Sequence, residues 1–226
     1  MNAEVTDLTL SVAGRGEVSA ICLKPPQCRY FLVLGHGAGA GMQHPFMESL
    51  AQNLAARRIG TLRYQFAYMD RGSRRPDPAH ILQQTVRSAV NSAGLLVRDC
   101  PLFAGGKSMG GRMTSQAQAD RPFQGLKGLV FYGFPLHPIG EPGVTRAEHL
   151  RRIMVPMLFL QGRRDRLAQP LLLEPVLTDL APRASVEWLE EGDHEFSVPK
   201  RTGMDRGKVM EWLADRTLHW MVSVAG

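Results

Sequence analysis

The sequence predicts an α/β fold whose mainly parallel, doubly wound sheet is flanked by helices. Apolar runs of strand length alternate with longer amphipathic stretches along almost the whole chain of 226 residues. Such alternation implies right-handed crossovers and a sheet that is covered on both faces. Hydrophobic residues make up 44% of the chain and charged residues 21%, as is usual for a folded globular domain. No internal repeat, low-complexity tract or linker divides the chain, so residues 1–226 are expected to form one domain.

The first half of the chain begins with two strands, which a hairpin-type turn at Gly14-Arg-Gly16 joins. The continuous apolar run from Tyr30 to Leu34 ends in a glycine cluster, which suits a strand buried on both faces. Asp77 and Pro78 are typical of an N-cap followed by proline at the first helical position. The elements predicted in this half are strands 5–12, 17–24 and 30–34, helix 46–58, strand 60–66, helix 79–94, strand 102–104 and helix 109–119.

The second half continues the alternation of strands and helices. Thr145 and Glu148 have the spacing of a capping box, which opens a short helix. In a doubly wound sheet, the loops at the carboxyl ends of the strands form the functional site. The elements predicted here are strand 126–134, a short helix from residue 145, strand 157–160, helix 168–180, strand 184–189 and helix 205–222.

Charge and hydropathy narrow the possible partners. The formal net charge is +6 and 22 of the 27 basic residues are arginine, which raises nucleic acid or an anionic substrate as a partner. The basic residues are scattered, however, and their one tight group is Arg71, Arg74 and Arg75, so nucleic-acid binding is not expected. No apolar run approaches the ~18 residues that span a bilayer, so no membrane association is expected.

Compartment is predicted from the first residues and from the cysteines. The first 25 residues contain acidic side chains and lack the basic-then-apolar order of a secretory signal. Cys22, Cys28 and Cys100 cannot all pair with one another, and free thiols in a reducing compartment are the simpler interpretation. A cytoplasmic location is therefore expected.

The segment from Gly106 to Gly110, Gly-Lys-Ser-Met-Gly, fits the pattern G-x-S-x-G of a nucleophile elbow. An apolar strand precedes it and a helix-compatible stretch follows it. In this motif Ser108 occupies a tight strand-to-helix turn, and a side chain at either glycine would strike neighbouring backbone. The alternative is a glycine-rich turn in which the serine only caps the helix.

Two other motifs in the chain predict different chemistry, and each fits its own pattern less well than the elbow does. A phosphate-binding P-loop ending in Gly106-Lys-Ser108 needs glycine at position 101, where the chain has Pro101. The run from Gly35 to Ala40 matches the dinucleotide pattern G-x-G-x-x-A. No carboxylate follows at the end of the next strand, where Tyr64-Gln-Phe66 stands. Neither a nucleotide cofactor nor a metal is therefore expected.

A serine nucleophile needs a general base and a carboxylate that orients this base. In the elbow fold they follow the serine in the order acid, then histidine. Asp165 comes just after one predicted strand and His194 just after the last one. Asp193 competes for the role of the acid, but sequence neighbours rarely direct their side chains at each other, which favours Asp165. The expected catalytic residues are thus Ser108, Asp165 and His194.

Two backbone N–H groups are expected to form an oxyanion hole. One belongs to Met109, which follows the nucleophile, and the other to Ala38 in the loop after the third strand. This loop, residues 36–41, carries little side-chain bulk, so its amides can approach a substrate closely. His36 is interpreted as a buried residue that holds the loop.

Five segments of the chain resemble the α/β-hydrolase superfamily, and within it a branch of dienelactone-hydrolase-like and testis-expressed α/β-hydrolase-like proteins. The resemblance extends from about Tyr30 to the terminal helix and implies a triad of Ser108, Asp165 and His194. Dienelactone hydrolases proper have a cysteine where this chain has Ser108, and the branch includes a hydrolase-like domain that acts as a scaffold. The segments are Gly35-His-Gly-Ala-Gly-Ala-Gly41, Gly105-Gly-Lys-Ser-Met-Gly-Gly-Arg112, Phe131-Tyr-Gly-Phe-Pro-Leu-His-Pro138, Leu160-Gln-Gly-Arg-Arg-Asp165 and Gly192-Asp-His-Glu-Phe196.

The superfamily often inserts a cap domain after the sixth strand, but here residues 133–149 form only a short connection. A fold without a large cap and with an open site is therefore expected. Four side chains are predicted to rim this site and bind substrate: Tyr68, Met69, Phe134 and His137. The expected function is a serine hydrolase acting on a small-molecule carboxylic ester or related acyl compound. The alternative is a non-catalytic interaction module that retains the fold.

Overall fold

The computed structural model describes residues 3–73, 75–97 and 99–225. Its helices and strands follow the predicted alternation. Strands β1 to β8 are Glu4–Val12, Gly16–Lys24, Tyr30–Gly35, Ile59–Tyr64, Leu102–Lys107, Leu126–Tyr132, Met157–Gly162 and Ala184–Leu189. Helices α1 to α6 are Pro45–Ala56, Ala67–Asp70, Ala79–Leu96, Met109–Asp120, Pro170–Leu180 and Arg206–Ala225, and short 3₁₀ helices occur at Thr145–Arg152 and Lys200–Thr202.

The eight strands form one sheet in the order β1-β2-β4-β3-β5-β6-β7-β8. The pairs β1–β2 and β2–β4 are antiparallel, and the other five pairs are parallel. Every residue of β3, β5 and β7 is buried, which agrees with the apolar runs and with helices on both faces. Helices α3, α4 and α5 cover one face, and α1 and α6 cover the other. The prediction of a doubly wound α/β fold is confirmed.

The connection between β6 and β7 lies wholly within the described chain. Its only regular element is the 3₁₀ helix Thr145–Arg152, so no separate cap covers the sheet edge. This confirms the expectation drawn from the shortness of the segment. Among the described residues, no helix is both long enough and apolar enough to cross a membrane.

Several strand ends differ from the prediction. The strands expected to reach residues 66 and 134 end at Tyr64 and Tyr132, because the chain turns there and directs Phe66 and Phe134 back into the core. The fifth strand runs on to Lys107, since its glycines continue the parallel pairing. The short helix Ala67–Asp70 was not predicted, because a single turn carries too little periodicity. Parallel pairing aligns the carboxyl ends of β3, β5, β6 and β7 along one edge.

Candidate active site

Ser108 occupies a strained turn between β5 and α4. Its backbone has φ 50° and ψ −114°, a conformation that residues other than glycine rarely adopt. The Ser108 N–H donates to the Tyr132 carbonyl at 3.1 Å, which ties the turn to the neighbouring strand. A Cβ at Gly106 or at Gly110 would collide with the carbonyl oxygen of Gly35. The two glycines of the motif are therefore required by close backbone approach.

Asp165, His194 and Ser108 form a continuous hydrogen-bonded line. The Nε2 atom of His194 lies 2.9 Å from the Ser108 Oγ atom, and its Nδ1 atom lies 2.7 Å from Asp165 Oδ2. The buried Asp165 carboxylate also accepts from the Leu167 N–H at 2.7 Å and from the Gln161 side-chain amide at 2.5 Å. A carboxylate only accepts hydrogen bonds, so His194 donates through Nδ1. Its Nε2 atom is thereby left to accept from the serine hydroxyl.

Asp193, the other acid considered for this position, has a different structural role. Its Oδ1 atom accepts from the N–H groups of Glu195 at 2.9 Å and Ser197 at 2.8 Å. These bonds shape the loop that carries His194, and the carboxylate is not bonded to the imidazole. Of the two acids, the structure brings Asp165 to the histidine.

The side chain of Lys107 binds the loop that carries His194, a contact that the sequence did not predict. Its Nζ atom donates to the backbone carbonyl of His194 at 2.8 Å and lies 3.5 Å from an oxygen of the exposed Glu195. The rings of Phe46 and Phe196 lie 5.8 and 5.9 Å from the same nitrogen. Burial lowers the pKa of Lys107, which the carboxylate of Glu195 partly opposes. The only available signal was its position, next to the serine at the end of a buried strand.

His36 holds the loop that was predicted to supply an oxyanion donor. The Phe66 N–H donates to its Nε2 atom at 3.2 Å, so the ring proton is on Nδ1, which donates to the Gly37 carbonyl at 2.7 Å. Burial lowers the pKa of His36 to about 4, and the imidazole is neutral at physiological pH. The structure thus agrees with the interpretation of His36 as a buried loop-holding residue.

Ala38 and Met109 line a cavity beside the serine. Together with Ser108 they contribute to a space of about 380 Å³ at the carboxyl edge of the sheet. Within the described part of the chain, the N–H groups of Ala38 and Met109 donate to no other residue. Both residues line the same cavity as the serine. Met109 is also the first residue of α4, where the positive end of the helix dipole adds to this field.

Three of the four predicted rim residues are buried, and for these the prediction is wrong. Tyr68 lies within the core and its hydroxyl accepts from the Gly39 N–H at 3.0 Å, so it supports the loop from behind. Phe134 packs against other aromatic rings in the core. His137 is buried and hydrogen-bonded to the Gln169 side chain at 2.6 Å. The half-buried Met69 packs near the Cα atom of Gly41.

The side chains that do line the cavity come from other segments. Its apolar wall includes Leu82, Met113, Ile139 and Leu167, and its basic side chains are those of Arg112 and Arg146. Arg112 is one helical turn beyond Ser108, a spacing that brings residues to the same helix face. No group of three His, Cys, Asp or Glu side chains that could bind a metal ion occurs among the described residues.

Arg71 and Arg75, two members of the tight basic group in the sequence, do not line this cavity. Arg71 is engaged by Asp77 at 2.7 Å, and Arg75 is exposed. Arg74 lies outside the described residues. The basic side chains of the cavity therefore do not come from the cluster that the sequence singled out.

The family model described as alpha/beta hydrolase domain matches residues 28–222. Dienelactone hydrolase from Anabaena variabilis is similar in structure, with a TM-score of 0.79 and 17% identity over 99% of both chains. The esterase domain of a Rhodothermus marinus protein gives a TM-score of 0.75 and 12% identity over 99% of this chain and 100% of that one. A serine hydrolase without a lid from Xanthomonas campestris gives 0.71 and 18% over 94% of both. Identities this low establish likeness of fold. The family match goes further, and the chain belongs to the alpha/beta hydrolase family.

Proposed function

We propose that the chain is one hydrolase domain that cleaves a carboxylic ester or related acyl compound through an acyl-enzyme on Ser108. The observation that carries the proposal is the hydrogen-bonded line from Asp165 through His194 to Ser108. A serine hydroxyl is a weak nucleophile, and a neutral imidazole within hydrogen-bond distance is the group that activates it. The buried carboxylate fixes the ring tautomer and stabilises the imidazolium that forms during the reaction.

The reaction proceeds in two balanced halves. The Ser108 oxygen bonds to the substrate carbonyl carbon while its proton passes to Nε2 of His194. The tetrahedral intermediate then expels the alcohol, which takes this proton, and leaves an ester on Ser108. Water attacks this ester with His194 again as the base, and the released acid leaves the hydroxyl restored. No group outside the chain, its substrate and water is required.

The amides of Ala38 and Met109 are proposed to bind the oxyanion of each tetrahedral intermediate. Both residues line the cavity beside Ser108, and their amides have no acceptor among the described residues. Backbone donors held in place before the reaction do not have to reorganise as negative charge develops. The rigidity of the loop at Ala38 comes from His36 and Tyr68, which hold it from the core side.

A non-catalytic interaction module is the alternative, and the chain contains an internal comparison for it. Ser115 and His149 form a second serine–histidine contact, with Oγ and Nε2 2.8 Å apart. Burial, together with the charges of Arg152 and Arg112, lowers the pKa of His149 to about 4. No carboxylate hydrogen-bonds this imidazole in the described chain. Of the two serines, only Ser108 contacts a histidine that is hydrogen-bonded to a carboxylate. This difference favours catalysis at Ser108.

The test is burst kinetics with short-chain 4-nitrophenyl esters. The wild-type protein should release one equivalent of nitrophenol rapidly and then turn over slowly, as an acyl-enzyme forms and hydrolyses. Ser108→Ala should lower kcat by more than about 10³-fold. Ser115→Ala is the matched control and should retain the burst. Absence of turnover in the wild type would favour the interaction module, whereas a burst that survives Ser108→Ala would place the nucleophile on another residue and contradict the proposal. Acyl-CoA substrates in the same assay separate thioesterase from esterase activity.

A further inference from the structure

Arg112 is a half-buried arginine whose guanidinium has no counter-ion among the described residues. Its Nε atom is inaccessible to solvent and has no hydrogen-bond partner. Among the described residues, neither Arg112 nor its neighbour Arg146 belongs to an ion pair. Ten pairs between an arginine or lysine and a carboxylate occur elsewhere in the described chain, from Arg57–Asp215 to Arg216–Glu187. Buried charges are normally paired, because removing a charge from water without compensation is costly.

The two arginines act on each other as like charges. Burial and the charge of the nearby Arg146 together lower the pKa of Arg112 to about 10, so this guanidinium remains cationic at neutral pH. The acidic groups nearby do not neutralise them. Asp77 lines the same cavity, where its Oδ1 atom pairs with Arg71 at 2.7 Å and its buried Oδ2 atom has no hydrogen-bond partner among the described residues. Neither Asp77 nor the exposed Glu141, which acts on Arg146, lies within ion-pair distance of the two arginines. The wall of the cavity next to Ser108 therefore carries uncompensated positive charge.

The position of the cavity indicates which half of a substrate would meet this charge. Ser108 and the amide-bearing residues Ala38 and Met109 line the cavity, whereas His194 does not. The leaving oxygen must receive its proton from His194 and so departs on the side of the histidine. Two cavities are lined by Ser108 and Ala38 but not by His194, and of these only the present one also contains Met109 and the two arginines. An acyl group that occupies it extends along apolar side chains that suit methylene groups and toward the two guanidinium groups.

We propose that Arg112 and Arg146 bind a carboxylate at the far end of the acyl chain. The preferred substrates are thus half-esters of dicarboxylic acids, with one acid esterified and the other free. Guanidinium groups bind carboxylates through paired, charge-assisted hydrogen bonds, and the site supplies two of them. This inference rests on the proposed function, since it names the substrate class of the same serine.

The experiment compares two esters with the same six-carbon chain, mono-4-nitrophenyl adipate and 4-nitrophenyl hexanoate, after subtraction of spontaneous hydrolysis. The wild type should have the higher kcat/KM for the adipate ester. Arg112→Met and Arg146→Met should each lower the adipate-to-hexanoate ratio of kcat/KM by about 10- to 100-fold. Arg151→Met is the matched control, because Arg151 is exposed and pairs with Asp179, and its ratio should equal that of the wild type.

The outcomes separate this inference from the proposed function. A burst on Ser108 with no preference for the adipate ester, or with a ratio that Arg112→Met leaves unchanged, overturns the anion site and leaves the esterase standing. If neither ester reacts, calorimetric titration with free adipate still decides. Binding by the wild type that Arg112→Met abolishes supports the site, and absence of binding overturns it. Arg112→Met should also melt at or above the wild-type Tm, because it removes an unpaired buried charge. A lower Tm would indicate a structural role and contradict the inference.

Discussion

Replacing Asp165 by asparagine tests the hydrogen-bonded line at its least exposed member. The carboxylate accepts three hydrogen bonds, from the Leu167 N–H, from the Gln161 amide and from His194 Nδ1. Asparagine has one oxygen and one donating NH₂ group, so it cannot accept on both sides. The Gln161 amide cannot turn to help, because its oxygen accepts from the Phe134 N–H at 2.9 Å.

Two arrangements of the asparagine are available, and both impair the base. With its oxygen on Leu167, its NH₂ group faces the imidazole and drives the proton from Nδ1 to Nε2, so that Ser108 loses its acceptor. With its oxygen on His194, the Leu167 N–H is left unsatisfied at a cost of about 1–3 kcal/mol. In either case the negative charge that stabilises the imidazolium is lost. We therefore expect kcat to fall by about 10³- to 10⁴-fold, equivalent to about 4 to 5.5 kcal/mol in the barrier.

The assay is steady-state hydrolysis of a 4-nitrophenyl ester by Asp165→Asn, with Asp193→Asn as the matched control. Asp193 accepts two backbone N–H groups through the same oxygen, which asparagine retains. The control should therefore stay within about threefold of the wild type. A larger loss in Asp193→Asn than in Asp165→Asn would refute the assignment of the acid. So would an Asp165→Asn protein that is folded and fully active.

Three further predictions concern the elbow, the histidine loop and pH. Gly110→Ala should destabilise the fold by about 1–3 kcal/mol in urea unfolding, because its Cβ strikes a backbone carbonyl. Gly143→Ala is the control, because a Cβ at Gly143 would meet open space, and it should leave the free energy of unfolding nearly unchanged. Equal destabilisation by the two substitutions would contradict the clash at Gly110. Lys107→Met removes the bond to the His194 carbonyl and should lower kcat about tenfold with KM little changed; an effect confined to KM would contradict a positioning role. Burial lowers the pKa of His36 to about 4 from an ordinary value near 6.5. Between pH 6.5 and pH 4, His36 is therefore protonated in the unfolded chain but neutral in the folded one. The free energy of unfolding should thus fall from pH 7 to pH 4.5, and a flat or rising profile would contradict it.

The features that could be predicted from sequence are those set by local pattern and by topology. Apolar periodicity located the main strands and helices, because burial on one or both faces determines which residues can occupy them. The glycine spacing around Ser108 identified the elbow, since only glycine allows the backbone to approach so closely. Asp165 and His194 were found from the chain order that the elbow fold imposes, acid and then histidine, and from the rule that strand ends share one edge.

The rest depended on packing between distant segments, which sequence patterns do not encode. The predicted rim included Tyr68, Phe134 and His137, because they follow strands at the correct edge of the sheet. Their loops turn back and bury them, which their positions in the sequence do not reveal. Arg112 and Arg146 meet only because α4 and the connection after β6 fold over the same space. Nothing in the spacing of the two arginines indicates that they would share a cavity.

The central claim is that Ser108 is the residue that becomes covalently modified during turnover. The most direct measurement is labelling with a fluorophosphonate probe, followed by peptide mass spectrometry to locate the adduct. We expect a single adduct on Ser108, no labelling of Ser108→Ala, and slowed labelling of Asp165→Asn. A wild-type protein that is folded and never labels, or an adduct on Ser115 instead, would contradict it.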